Sequence, residues 1–458
     1  MTPQPCKSPP APLAPVSFDL PKPFQATLDN GLRVVVFEND RLPLVSFRLA
    51  FNSGDINDPA DSTGMASALA SMITEGTENY TSRQLAEKIE RLGSSIAATA
   101  SSDFTIVAAS SLSLYRSEIL KLMAEVVLRP NFPENELDLY RRNTVEHLKF
   151  QRSQPGFLAG EQAARLVYGE HPYSKVSPYA DDIEKLDRQS LAQFHLATFV
   201  PNDAMLIVVG DVERNELVGE TQELFGDWQN GTHDTRMFAG PPARSGRSLT
   251  IVNRPGSAQS NIVLTNLGIK RTDPDYFPVL VMNQVLGAGA SSRVFMNLRE
   301  EKGYTYGAYT RLETKRLAGD FEATAEVRTA VTGDSLREFF YELERIRNEK
   351  VGDPELADAK NFLTGVFPLR AETQEGLTNL LVNQHLYGLP EDYLQTYREH
   401  IDAVTAEEVQ HVAVKHVRPD EMAIVIVGDA GEVLAQAKEY ASTVEIFDTE
   451  GNKSEPPA

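Results

Sequence analysis

The chain has 458 residues, 41% apolar and 24% charged, with a formal net charge of −21 and one cysteine. That length exceeds a single ordinary core and implies two or three domains. The acidic balance excludes nucleic acid as a partner, a lone cysteine excludes an internal disulfide or a thiolate metal site, and no run of about 18 apolar residues offers a membrane-spanning helix.

In chain order, residues 1–20 form a proline-rich leader around Cys6, predicted to be disordered. No apolar segment precedes Cys6, so this is not an intact signal peptide. A cysteine followed by a Pro/Ala spacer is similar to the start of a mature bacterial lipoprotein, giving a periplasmic, lipid-anchored expectation; a plain linker cysteine in a cytoplasmic protein is the alternative. Gly31 to Phe37 and Leu44 to Phe51 are β-rich runs separated by Asn39 and Asp40. Gly64 to Thr77 reads G-M-A-S-A-L-A-S-M-I-T-E-G-T. Thr81 to Leu92 is predicted as a helix: Thr81 and Gln84 form a capping box, Leu85, Ile89 and Leu92 make one apolar face, and Gly93 ends it. Ile119 to Leu128 and Glu134 to Gln151 form a helical pair broken by Pro130 and Pro133, and Ile183 to Ala197 is a further helix. Asn230 to Arg247, rich in Gly, Pro and Arg with no apolar period, reads as a linker. Strands follow at Leu249 to Val252 and Asn261 to Leu267, and Ile401 to Val414 closes the series as a helix.

The two halves echo each other. Phe199 to Asp211 (F-V-P-N-D-A-M-L-I-V-V-G-D) returns as Val417 to Asp429 (V-R-P-D-E-M-A-I-V-I-V-G-D), each behind a helix-like stretch. Leu166-Val-Tyr-Gly169 is echoed by His385-Leu-Tyr-Gly388. Two copies mean two homologous domains and not a solenoid. The expected architecture is α+β: a domain over 21–230, a linker over 231–247, a second domain over 248–450 and a tail over 451–458. Each domain would be a mixed, mostly antiparallel sheet packed with helices.

The L-D-N-G-L-R-V opening at Leu28 to Val34, the G-x-x-x-D-P turn at Gly54 to Pro59, the Gly64–Thr77 frame, Y-G-E-H-P-Y at Tyr168 to Tyr173 and the two strands ending in V-G-D occur in one order. Together they resemble the pitrilysin/insulinase family of zinc metallopeptidases over about Phe24 to Val444. The resemblance implies one half of a clam-shell chamber that encloses an unfolded peptide. Active members carry H-x-x-E-H in the frame, two imidazoles for Zn²⁺ and a glutamate as general base. Those places here are Ser67, Ala70 and Ser71. Neither hydroxyl is a good ligand for a borderline-soft cation, and alanine accepts no proton. The family's third ligand maps to Glu146 or His147, and a single ligand without its partners makes no metal site. No metal or other cofactor is therefore expected in this chain.

Gly287 to Ala308 reads G-A-G-A-S-S-R-V-F-M-N-L-R-E-E-K-G-Y-T-Y-G-A. In peptidases of this family the second half-shell supplies an R-x₆-Y pair, and Arg299 and Tyr306 match that spacing. A phenol O–H stabilises a tetrahedral oxyanion, and a guanidinium grips a substrate carbonyl. Alternatives stay open: Arg293 anchors the loop or touches substrate, Tyr304 shares a strand face with Tyr306, and Arg299 with Tyr306 are only surface and packing residues. Gly287 and Gly289 belong to a close-approaching loop at the chamber mouth; they lack the P-loop lysine and the Rossmann spacing. The resemblance thus implies a non-zinc subunit whose homologous partner subunit brings Zn²⁺ and the base, with an inert scaffold or peptide-binding protein of the same fold as the alternative.

Overall fold

The computed structural model describes residues 20–232 and 236–455; Cys6 and its leader, on which the anchor expectation rests, lie outside the described residues. The first half runs β1 (Phe24–Thr27), β2 (Arg33–Glu38), β3 (Leu44–Phe51), α1 (Met65–Met72), α2 (Ser82–Arg91), β4 (Ser95–Ala100), β5 (Thr105–Leu112), α3 (Arg116–Leu128), α4 (Glu134–Ser153), α5 (Pro155–Tyr168), α6 (Ala180–Glu184), α7 (Arg188–Thr198), β6 (Ala204–Gly210) and α8 (Arg214–Phe225). The second half repeats the plan. It opens with β7 (Ser248–Asn253), β8 (Gln259–Leu267) and α9 (Tyr276–Leu286), and α10 (Arg293–Phe295) then runs into a π-helical turn at Met296–Glu301. Then come β9 (Thr305–Thr314), β10 (Gly319–Arg328), α11 (Thr332–Asn348), α12 (Asp353–Glu372), α13 (Gln374–Leu386), α14 (Tyr393–Ala403), α15 (Ala406–His416), β11 (Ala423–Gly428), α16 (Ala430–Ala437), β12 (Thr443–Phe447) and β13 (Lys453–Ser454).

Both sheets are mixed. The orders are β1-β2-β6-β3-β5-β4 and β13-β12-β7-β11-β8-β10-β9, so the first sheet from β2 to β4 overlays the second from β7 to β9. The two V-G-D strands, β6 and β11, occupy the same interior place, each parallel to one neighbour and antiparallel to the other. Both are buried along their whole length, which explains why their sequences are continuous apolar runs instead of alternating ones. Each sheet ends at an edge strand, β4 or β9, with one side unpaired.

One face of each sheet carries helices of its own half. The other face is covered from across the molecule. Val35, Phe37, Ala50, Met205, Ile207 and Val209 of the first sheet pack on Leu377, Leu381, Val382 and Leu386 of α13. Reciprocally, Val252, Val263, Val425 and Val427 of the second sheet pack on Leu158, Ala159 and Ala163 of α5. The L-V-Y-G and H-L-Y-G echoes lie at the ends of these two exchanged helices. Two polar links join the halves beside them: the Tyr168 hydroxyl donates to Asp320 at 2.5 Å, and the Arg316 N–H donates at 2.9 Å to Asp103, which also accepts the Tyr173 hydroxyl. Arg244, between the halves, donates to the carbonyls of Leu166 and Glu421, both at 3.1 Å.

Two predicted helices divide in the structure. Ile183 to Ala197 is split between α6 and α7 because Asp187 caps a new start, accepting the Ser190 N–H at 2.7 Å. Ile401 to Val414 spans α14 and α15, with Thr405 and Glu408 closing a capping box at the break. Apolar periodicity alone does not register such breaks, since the buried face continues through them. The predicted box at the start of α2 is present, with Thr81 and Gln84 exchanging hydrogen bonds of 3.1 and 3.3 Å.

Exchange of α5 and α13 makes the halves one cooperative unit. Leu381→Ala, at a fully buried α13 position, is expected to lower stability by about 2–5 kcal/mol. Denaturant unfolding followed by Trp228 fluorescence, in the first half, should shift together with circular dichroism. A Trp228 transition unaffected by the α13 substitution would show the halves to be independent.

Candidate functional site

Helix α1 carries the three positions of the degenerate motif. The Ser67 hydroxyl donates to Asp55 at 3.2 Å, the Ser71 hydroxyl donates to the Ser67 carbonyl at 2.9 Å, and the Ala70 methyl is buried. Opposite them, burial raises the Tyr140 phenol's pKa, while its hydrogen bonds to Thr144 and Ser71 pull it down. Tyr140 thus reaches α1 from α4. Glu146 is exposed and pairs with Lys149 at 2.7 Å, and His147 is exposed as well. This donor set of hydroxyls and a methyl does not fit zinc, which takes imidazole, thiolate or carboxylate ligands in tetrahedral array.

The acidic groups around α1 come from the G-x-x-x-D-P turn. Asp58 accepts the N–H groups of Gly64 at 2.6 Å and Ala66 at 2.8 Å, capping the helix. Burial pushes its carboxyl up to about 7; the Ala66 and Gly64 N–H groups oppose this and the Asp55 charge adds to it. Burial likewise pushes Asp55 up to about 6, against the Ser67 hydrogen bond. Motif spacing did not single out Asp55 or Tyr140, because neither occupies a ligand position of the family pattern; Asp58 belonged to the turn motif.

The second constellation lies in the other half. The loop Gly287–Ser292 joins α9 to α10. A Cβ on Gly287 would sit 2.4 Å from the Thr310 hydroxyl and 2.5 Å from its amide nitrogen, so only glycine lets this loop lie against β9. Thr310 N–H donates to the Gly287 carbonyl at 2.9 Å. A Cβ on Gly289 would meet the Gln284 side chain at 3.0 Å. Arg293 is buried, and its guanidinium forms a bidentate pair with Glu355 at 2.7 and 2.8 Å. That geometry is a loop anchor, not a free substrate contact.

The π-helical turn widens the backbone just before β9, a local irregularity that re-aims side chains. Arg299 on this turn is exposed, pairs with its neighbour Glu300 and lies 4.9 Å over the Phe295 ring. Tyr306, two residues into edge strand β9, is 93% exposed, with no hydrogen-bond partner among the described residues. Tyr304 lies just before β9, so strand alternation does not pair it with Tyr306; it is half-buried, and its N–H donates to the Leu298 carbonyl at 3.0 Å. The structure does not join Arg299 to Tyr306 directly; it leaves both side chains in solvent near one end of an unpaired edge.

Two family profiles match the chain: one described as Insulinase (Peptidase family M16) over residues 33–169, and one described as Peptidase M16 inactive domain over 185–363. The chain belongs to peptidase family M16. A Bacillus subtilis protein named an uncharacterized zinc protease is 21% identical over 417 residues, spanning 89% of this chain and 98% of its own length. A Helicobacter pylori protein named a non-peptidase homolog is 22% identical over 399 residues, spanning 86% and 91%. The crystal structure of a peptidase M16 inactive domain from Pseudomonas fluorescens matches with a TM-score of 0.84 at 27% identity, covering 89% of this chain and 98% of that one. This M16 member therefore has the family fold with the inverted zinc motif replaced by Ser67, Ala70 and Ser71.

A second group of possible ligands, Asp273, Asp275 and His416, clusters within 4.8 Å. Its carboxylates are already engaged: Asp275 pairs with Lys415 at 2.6 Å and with His416 at 2.7 Å, and Asp273 accepts the Asp275 N–H at 2.9 Å. An ammonium in direct contact makes this an ion-pair network at the start of α9.

Two measurements check this site. Elemental analysis after equilibration with zinc sulfate and buffer exchange should find well below one zinc per chain; one tightly held zinc per chain would overturn the assignment. The raised Asp55 carboxyl gives a second outcome. A folded value of about 6 against an ordinary 3.8 means the folded state holds the proton more tightly, so this contribution is full below pH 3.8 and is lost as pH rises through 6. Asp55→Asn should therefore be more stable than wild type at pH 8, by roughly 3 kcal/mol, with the gap closing toward pH 4 in thermal unfolding. A gap that does not change with pH would place Asp55 in contact with solvent or a cation.

Proposed function

We propose that this chain is the non-zinc subunit of a two-subunit M16 peptidase. It closes a peptide chamber against a homologous partner that carries H-x-x-E-H, Zn²⁺ and the general base, and it lends Arg299 and Tyr306 to that partner's site. Alone it is inert, since no side chain at Ser67, Ala70 or Ser71 activates water. The observation that carries the reading is the exposure of Tyr306. A large aromatic side chain standing in water on an edge strand contributes little to this chain's own core. Its use lies with something that arrives from outside. Attack on a peptide carbonyl develops an oxyanion, and a phenol O–H donated from across the interface stabilises it. Arg299, held by an adjacent surface carboxylate and the Phe295 ring, can exchange that carboxylate for a substrate carbonyl. The substrate class is an unfolded peptide, added as a strand to an exposed sheet edge.

The second reading is an inert scaffold or peptide-binding protein of the same fold, favoured by the non-peptidase name of the Helicobacter pylori relative. Tyr306→Phe separates the two. With the zinc-bearing partner, the substitution is expected to lower peptide turnover by roughly 10²–10³, as for loss of one oxyanion donor. Melting temperature and assembly should stay unchanged, because the hydroxyl has no hydrogen-bond partner among the described residues. Unchanged turnover in an active complex would assign Tyr306 no catalytic part and favour the scaffold.

A further inference from the structure

We infer that this chain has an anion site at Arg48 that takes the C-terminal carboxylate of an extended peptide. The proposal rests on the reading of the chain as one wall of a peptide chamber and names which end of the peptide this wall holds. Where α13 stops covering the first sheet, a cleft of about 880 Å³ opens between β3, β5 and edge strand β4 on one side and the α12–α13 junction on the other. Its floor is made of small residues, Ser46, Ser95, Ala97, Ala108 and Ser110. Leu42, Leu44 and Leu112 form an exposed apolar rim.

Arg48 stands on that floor and is only 9% exposed. Its Nη1 donates to the Phe47 carbonyl at 3.0 Å, and Nη2 reaches Glu375 at a long 3.4 Å. The remaining guanidinium donors have no hydrogen-bond partner among the described residues. Glu375 is itself a poor partner, its side chain being 75% exposed. Thr373, Gln374 and Glu375 place the N-terminus of α13 at the same cleft, where the helix dipole favours an anion. Arg41 and Glu372 stand at the solvent rim.

The duplication shows that the fold does not require this arginine. Arg48 pairs with Ile207 on β6, and the matching register on β11 pairs Val425 with Val263. The second copy therefore holds a valine where the first holds Arg48, and that valine packs in the apolar layer beneath α5. A buried guanidinium replacing an aliphatic side chain carries a desolvation cost that only an anionic partner offsets. Glu375 supplies part of it from the surface. A carboxylate entering the cleft can replace Glu375 and engage the planar fork bidentately. The open edge of β4 beside the site suits an extended chain, and the leucine rim suits an apolar last side chain.

The test uses the full chain and a ten-residue unstructured peptide ending in leucine, fluorescein-labelled at its N-terminus, as free acid and as C-terminal amide. Fluorescence anisotropy should show the acid binding roughly tenfold or more tighter than the amide, as for a hydrogen-bonded charged group. Arg48→Met should bring the acid down to the level of the amide, and Glu375→Gln, at an exposed position, should tighten the acid alone. Equal binding of acid and amide to wild type, or no change of preference in Glu375→Gln, overturns the carboxylate site and leaves the chamber reading standing. Absence of binding by both peptides overturns the chamber reading and this site with it. Displacement of the peptide by equimolar decanoate would assign the cleft to a free amphiphile and overturn the peptide assignment.

Discussion

The structure depends on one reciprocal packing: α5 of the first half closes the second sheet, and α13 of the second half closes the first. A β-sheet whose interior strands are apolar on both faces needs cover on both. Each half supplies helices for one face and takes its other cover from its duplicate. The halves therefore exist as a pair, and the polar links from Tyr168 to Asp320 and from the Arg316 N–H to Asp103 lie beside that junction. Everything functional is placed by what this exchange leaves open. No strand pairs with the outer side of β4 or β9, so both keep free edges, and the cleft at Arg48 forms where α13 ends.

Exposure and partnership separate the roles of residues that sequence spacing puts on an equal footing. Arg293 and Arg299 are six residues apart in one glycine-led segment. Arg293 turns inward to a bidentate bond with Glu355 and anchors the loop, whereas Arg299 turns outward on the π-helical turn. Tyr304 lies just before β9 and is half-buried, whereas Tyr306 within the strand stands fully in solvent. Burial around α1 acts differently: it raises the pKa values of two carboxyls, Asp55 and Asp58, in the turn that precedes the helix.

Much of the architecture was legible from local rules. The V-G-D strands, the capping box at Thr81 and Gln84 and the duplication all follow from residue patterns that act over a few positions. What failed was likewise local: the helices at Ile183–Ala197 and Ile401–Val414 divide at Asp187 and Thr405, because a side-chain cap competes with helix continuation without disturbing the apolar period. Tyr140 of α4, which the family's ligand spacing does not single out, hydrogen-bonds Ser71 of α1. Counting along a helix fixes an azimuth, while the crossing of two helices decides which turn makes contact.

By itself the sequence determined the family, the two-fold repeat and the absence of ligand-type side chains at Ser67, Ala70 and Ser71, since identity and order are properties of the chain. The tertiary structure alone decided which faces the repeats exchange, that Arg293 is engaged and Tyr306 free, and that Arg48 ends at the floor of a cleft. Those are consequences of long-range packing. A residue's freedom to act depends on what the rest of the chain places against it, and that is set by contacts hundreds of positions apart.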